Sequence, residues 1–283
     1  MSVMHLVRRS ADVVLEPHPV YKNHSEGYQI APLVDHTSGS VHTGLSLNHL
    51  APSGTVAPHL HSYEEGFYIL EGQAVLGINE HAYRLGPGDF GTFKVGTVHA
   101  WRNAGEAPLR WLGMAAPQPK PLGKERDTFF PKGASISTDI QPIAGLLGHF
   151  DVSQIPSAPE ARAALPGANN VFLQWMIDEK FGARHHRMLF LEYLPGASIA
   201  LHDHTFEEAY FILSGEVEAI LDGQRYLAGP GDVLWTGVGC VHSFSNIGHE
   251  PVRWLETFSP QPPAENVFRF AAEWEQRARD LEQ

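Results

Sequence analysis

Three histidines and one glutamate recur in this chain at one spacing: His59, His61, Glu65 and His99, then His202, His204, Glu208 and His242. Imidazole nitrogens and a carboxylate oxygen are the donor set of a first-row divalent ion, with iron or manganese favoured and nickel, copper or zinc as alternatives. In a strand, residues i and i+2 share a face, so each HxH pair projects both rings the same way. Four protein donors leave two positions of an octahedral ion for substrate, water or oxygen. An HxH pair alone is a weak signal, whereas HxHxxxE followed by GPGD and GxxH, twice over, is a strong one. Each site glutamate follows another, Glu64-Glu65 and Glu207-Glu208. Alternation puts the two members on opposite faces, so Glu65 and Glu208 are assigned as ligands and as the catalytic carboxylates. Glu64 and Glu207 are expected to be solvated or paired outside the barrel.

Those residues sit inside an internal repeat. PSGTVAPHLHSYEEGFYILEG from Pro52 matches PGASIALHDHTFEEAYFILSG from Pro195, LGPGDF matches AGPGDV, VGTVHAWRN matches VGCVHSFSN, and LRWLGMAAPQP matches VRWLETFSPQP. Every pair is offset by 143 residues without a gap, which identifies a duplicated domain. Two domains are expected, 1–135 and 136–283, with the Pro- and Gly-punctuated stretch from Pro117 to Ile155 as a packed connection. Each repeat reads as short strands between turns, among them an Asp222-Gly223 hairpin signal and a Gly-Pro-Gly-Asp turn. Evenly spaced short strands indicate an all-β sandwich or barrel. Helical periodicity is clear only in FRFAAEWEQRARDLEQ, where Phe270, Trp274 and Arg277 share a face, so a short C-terminal helix is expected.

Composition narrows the functions. The 43% hydrophobic and 18% charged residues describe a folded globular chain. A net charge of −12 without a basic block argues against nucleic acid or an anionic membrane as partner. No apolar run spans a bilayer and the first residues lack a secretory core. Cys240 is the only cysteine, so a cytoplasmic address is expected. The 17 histidines are the unusual feature, and six of them fall in the repeated HxHxxxE and GxxH motifs.

On these motifs the chain resembles the cupin superfamily, and within it the bicupins, over nearly all of both repeats. The carrying residues are Gly196, His202, His204, Glu208, Gly215 with Gly231, Asp232, Gly239, His242, Asn246. In the first repeat they are His59, His61, Glu65, Gly72 with Gly88, Asp89, Gly96, His99, Asn103. Ser53 replaces an expected glycine, and Lys94 and Gly237 replace prolines, which affects turns and not ligands. The resemblance implies two tandem jelly-roll barrels of six to eight strands with a metal in the mouth of each, a small-molecule substrate, and a candidate homodimer.

Cupins support many reactions, so the fold alone does not name one. A dioxygenase cleaving a small enol, diketone or phenolic substrate is favoured, because the ligand set resembles that of quercetin-cleaving bicupins. Alternatives are a hydrolase, lyase or decarboxylase resembling ureidoglycine aminohydrolase or oxalate decarboxylase, or a non-enzymatic binder. Residues that differ between repeats, Leu60/Asp203, Thr92/Trp235, Thr97/Cys240, Trp101/Phe244 and Phe67/Tyr210, are candidates for telling the two sites apart. Asn103 and Asn246 are expected to satisfy turn backbone. His185-His186 has no partner motif and is given no role.

Overall fold

The computed structural model describes residues 4–124, 126–156, 167–261, 269–270 and 272. It is an all-β protein of two curled, mainly antiparallel sheets, each with eleven strands among the described residues. The expected C-terminal helix is corrected where it can be seen: Arg269–Phe270 extend as a short strand paired with His202–Asp203, and apart from Ala272 the rest lies outside the described residues. No helix among these residues is long and apolar enough to cross a membrane.

The two repeats build their sheets in the same way. In the first, Gly44–His61 is a long strand that pairs with Leu109–Ala116 over its first half and with His99–Asn103 over its second. Glu64–Glu71 lies between Leu109–Ala116 and Asp89–Phe93. In the second, Arg187–Ile199, Glu207–Ser214, Val252–Ser259 and Val233–Thr236 repeat that pattern. The β-branched and aromatic residues at alternate positions point inward and form one apolar cluster per barrel, around Phe67, Trp101 and Trp111 in the first and Tyr210, Phe244 and Trp254 in the second. A third cluster, including Leu45, Tyr68, Met114, Phe190, Phe211 and Trp235, draws on both repeats and glues the barrels together. Trp235 therefore belongs to the joint between barrels.

The edges are closed by exchange. His5–Arg8, which precedes the first repeat, pairs with Val233–Thr236 of the second sheet. Leu147–His149, which precedes the second repeat, pairs with Asp89–Phe93 of the first, and Ile140–Gln141 runs parallel to His81–Leu85. Each repeat thus lends its leading strand to the other barrel, which covers an otherwise open row of backbone donors and acceptors. The GPGD turns anchor both loans. Asp89 meets His149 Nδ1 at 2.8 Å, and Asp232 accepts from the Arg9 guanidinium and the Ser10 N–H, each at 2.8 Å.

Of the two alternatives expected for Glu64 and Glu207, solvated or paired outside the barrel, both take the second. They are 1% and 3% exposed. Alternation does turn them away from the barrel interior, but what lies outside is the other barrel. Glu64 accepts from the backbone N–H groups of Arg184, His185 and His186 and pairs with His186 Nδ1 at 2.9 Å. Glu207 accepts from the N–H groups of Val41, His42 and Thr43 and from Ser40 Oγ. The two clasps are the same contact made in both directions. His186, given no role from sequence, is 1% exposed, and it packs so closely on Gly66 that a Cβ there would collide with its ring. The residues matching His186 and Gly66 in the other clasp are Thr43 and Ala209, a smaller side chain for the first and a larger one for the second.

Candidate metal centres

The eight sequence-predicted residues come together as two clusters, one in each barrel. His59 and His99 are directly paired across neighbouring strands, as are His202 and His242. One donor nitrogen from each of His59, His61 and His99 lies within 4.8 Å of the other two, and the same is true of His202, His204 and His242. All six rings are buried. Glu65 Oε2 is 3.1 Å from His61 Nε2 and 3.4 Å from His99 Nε2. Glu208 Oε2 is 2.7 Å from His204 Nε2 and 3.4 Å from His242 Nε2.

Hydrogen bonds on the far side of the rings decide which nitrogen faces inward. Nδ1 of His59, His99, His202 and His242 each meets the carbonyl of the residue two positions earlier, at 2.8, 3.0, 2.8 and 2.9 Å. His204 Nδ1 meets the Phe206 carbonyl at 3.0 Å. A carbonyl only accepts, so these Nδ1 atoms carry the proton and Nε2 presents a lone pair to the centre. His61 is held instead by Thr128 Oγ1 at 3.0 Å. Burial, followed by the neighbouring imidazoles His99 and His61, pushes His59 well below the usual histidine range. Burial and then His242 lower His202 to about 4. Neutral rings with inward lone pairs around a carboxylate are acceptors facing acceptors. Glu65 Oε2, His99 Nε2 and His204 Nε2 are buried without a hydrogen-bond partner. A divalent cation satisfies that arrangement, so the residues present fit a metal in each barrel.

The surroundings differ. Beside the first site, a cavity of about 430 Å³ is lined by Tyr21, Tyr28, Ser46, Asn48, Tyr63, Gly113 and Thr128 together with His61 and Glu65. Tyr28 OH donates to Asn48 Oδ1 at 2.7 Å, and Asn48 Nδ2 donates to Ser46 Oγ at 3.1 Å, which fixes the polar wall. Gly113 keeps this space open, since a Cβ there would come within 2.9 Å of both Asn48 Nδ2 and Ser46 Oγ. In the second repeat the matching positions are Leu189, Leu191 and Glu256 in place of Ser46, Asn48 and Gly113. Tyr210, in place of Phe67, donates to Glu208 and lies 3.3 Å from His242 Nε2. Burial pushes the Glu256 carboxyl well up, with the Glu208 carboxylate adding to it. The first centre thus meets a cavity, and the second has a tyrosine against its ligands and a glutamate where the first has Gly113.

Of the positions that differ between repeats, Tyr210 reaches the site and Phe244 lies tilted against it with ring centroids 4.7 Å apart. Glu256 and Gly113 went unnoticed in sequence, although the aligned RWLE and RWLG runs carry the signal. Asn103 and Asn246 act as turn residues. Asn103 Nδ2 donates to the Leu50, Ala51 and Ala107 carbonyls, and Asn246 Nδ2 to those of Tyr193 and Glu250.

The cupin domain family matches residues 46–114 and 189–258, one stretch in each repeat. No curated protein matches the chain in sequence. Among solved structures, the oxalate decarboxylase of Lactobacillus farciminis in complex with formate is 16% identical, with a TM-score of 0.66 over 97% of this chain and 92% of that one. Bacillus subtilis oxalate decarboxylase at pH 4.6 is 17% identical, with a TM-score of 0.65 over 99% of this chain and 83% of that one. A further structure of the Bacillus subtilis enzyme, studied for its Mn(II) centres, is 18% identical with a TM-score of 0.66, covering 97% of this chain and 81% of that one. At these identities the likeness is one of fold. With two matched domains, two barrels and two three-histidine centres, the chain belongs to the cupin superfamily and is a bicupin with a divalent-metal site in each barrel.

Proposed function

We propose that this bicupin is a metal-dependent dioxygenase whose first barrel, residues 1–135 in the division expected from sequence, binds and cleaves a small enol, diketone or phenolic substrate. The observation that carries this reading is the aromatic-walled cavity of about 430 Å³ that reaches His61 and Glu65. That space exceeds the needs of a two-carbon acid and suits a planar molecule lying against Tyr21, Tyr28 or Tyr63. In this reading His59, His61, Glu65 and His99 hold the ion of the first barrel, and His202, His204, Glu208 and His242 that of the second. Iron or manganese is favoured by the mixed imidazole and carboxylate set. Such an ion, when bound, supplies Lewis acidity toward a substrate oxygen and an open position for a second small molecule.

The chain's own groups do the rest. Burial alone would raise the Glu65 carboxyl, but the close approach of the His61 and then the His99 imidazole outweighs it and holds the group far below the usual range. It is therefore a carboxylate at neutral pH, positioned to accept the proton of an enol or phenol hydroxyl. Asn48, oriented by Tyr28 and Ser46, offers a polar wall for a second substrate oxygen. The second barrel, which carries Tyr210 and Glu256 in place of Phe67 and Gly113, holds its ion in a supporting role. A single cysteine suits a cytoplasmic address for such an enzyme.

A second reading, decarboxylation of a small dicarboxylate, is favoured by the oxalate decarboxylases of matching fold. One experiment separates the two. Metal-loaded protein is given a panel of enols, diketones and phenols in an oxygen electrode, and oxalate in a carbon dioxide assay. Oxygen uptake stoichiometric with substrate loss supports the dioxygenase. Background uptake across the panel overturns it, and carbon dioxide release from oxalate establishes the second reading.

A further inference from the structure

Outside both cupin centres, His5, Asp222 and Cys240 bring an imidazole nitrogen, a carboxylate oxygen and the chain's only thiol within 4.8 Å of one another. They come from three places: the exchanged first strand, the Asp222-Gly223 hairpin and the loop before His242. Backbone bonds hold each one. His5 is in register with Thr236, Gly237 N donates to the Met4 carbonyl at 2.7 Å, and Asp222 N donates to the Val241 carbonyl at 2.8 Å. His5 and Cys240 are 7% and 1% exposed, while the Asp222 side chain reaches solvent and offers an ion a way in.

Proton counting points to a cation here. Tyr226 OH donates its one hydrogen to Gln224 Oε1 at 2.6 Å, so toward His5 Nε2, 2.9 Å away, it can only accept. His5 therefore carries a proton on Nε2, and in its neutral form Nδ1 is a bare lone pair. That lone pair faces Asp222 Oδ2 at 3.3 Å, acceptor against acceptor. Two donor atoms on one tetrahedral ion stand roughly 3.3–3.8 Å apart, given metal bonds of 2.0–2.3 Å. An outer hydrogen bond that fixes the tautomer, as Tyr226 does, is the usual support of a metal-bound histidine.

We infer that His5, Asp222 and Cys240 form a third metal site of zinc-binding chemistry, which fastens the exchanged strand to the second barrel. The thiol gives up its proton to solvent as the metal–sulfur bond forms, and water completes the tetrahedron. The first barrel has no counterpart, since by the register of the exchanged strands and the repeat the matching residues there are Gly145, Asn79 and Thr97. The site thus owes nothing to the repeat and is independent of the reaction run in either cupin centre.

The test uses the full chain loaded with cobalt. Neither cupin centre has a sulfur donor, so a near-ultraviolet sulfur-to-cobalt charge-transfer band reports this site alone. Expected are that band and three cobalt ions per chain in the parent protein. Cys240→Ser should lose the band and one ion, and His5→Ala and Asp222→Asn should weaken cobalt binding at this site at least tenfold. No band at saturating cobalt in the parent, which needs no variant to fold, overturns the inference. So does a band unchanged in both His5→Ala and Asp222→Asn.

Discussion

Tyr210 places its phenol oxygen 3.3 Å from His242 Nε2 and against Glu208, whereas the matching Phe67 lies with its ring among the core aromatics Phe93 and Trp101. Two centres with matching histidines and glutamates are thus unequal one layer out. If the open centre is the working one, closing it by the second repeat's own device must silence the enzyme. Gly113→Glu should abolish turnover while metal content per chain stays unchanged, because the new side chain enters the cavity beside Asn48 and Ser46. Elemental analysis beside an activity assay checks both halves.

Removing one imidazole from each centre should have unequal effects on rate and equal effects on metal. His59→Ala and His202→Ala should each lose one bound ion per chain. Activity should fall by more than ~100-fold in the first and by less than ~10-fold in the second, since losing a direct ligand costs more than the 10–100-fold typical of an outer partner. Comparable activity losses in the two variants would sink the assignment of the first barrel as the active one.

Thr128 holds Nδ1 of His61, the one site histidine not anchored by a carbonyl. Thr128→Val keeps the side chain's shape and removes that partner. Metal affinity of the first centre should drop by roughly 10–100-fold with the second centre unaffected, measurable by competition with a chelator.

The Glu64 clasp carries a pH signature. Burial raises this carboxyl, but the His186 contact and the N–H groups of His185 and Arg184 outweigh it and leave the group below its ordinary value of 4.5. A carboxyl whose folded value is lowered contributes stability in full above 4.5, and that contribution is lost as pH falls through the folded value. Glu64→Gln should therefore destabilise by about 1.5–3 kcal/mol at neutral pH, the typical worth of hydrogen bonds to a charged group, and flatten the acid limb of the stability curve. Chemical denaturation from pH 7 down to pH 3 reads both.

Deleting residues 1–9 uncovers the edge Val233–Thr236 that His5–Arg8 pairs with. An open edge seeks another strand, so the truncated chain should form dimers or aggregates at concentrations where the full chain does not. Light scattering on the two proteins is the check.

Both centres were legible in the sequence because their information is local. HxH sets two rings on one face, and the GPGD turn returns the strand that brings the last histidine. A duplication held in register at 143 residues then showed the pattern to be no accident. Asn103 and Asn246 were legible for the same reason, since a turn is satisfied by its own neighbourhood. What lies across a face is not local. Alternation turned Glu64 and Glu207 outward correctly, but only the packing of one barrel on the other made that outside a buried interface. The exchange of leading strands, the meeting of His5 with Asp222 and Cys240, and the contrast of Gly113 with Glu256 all join residues far apart in the chain. Periodicity says which way a side chain points, and only the folded arrangement of elements says what it meets there.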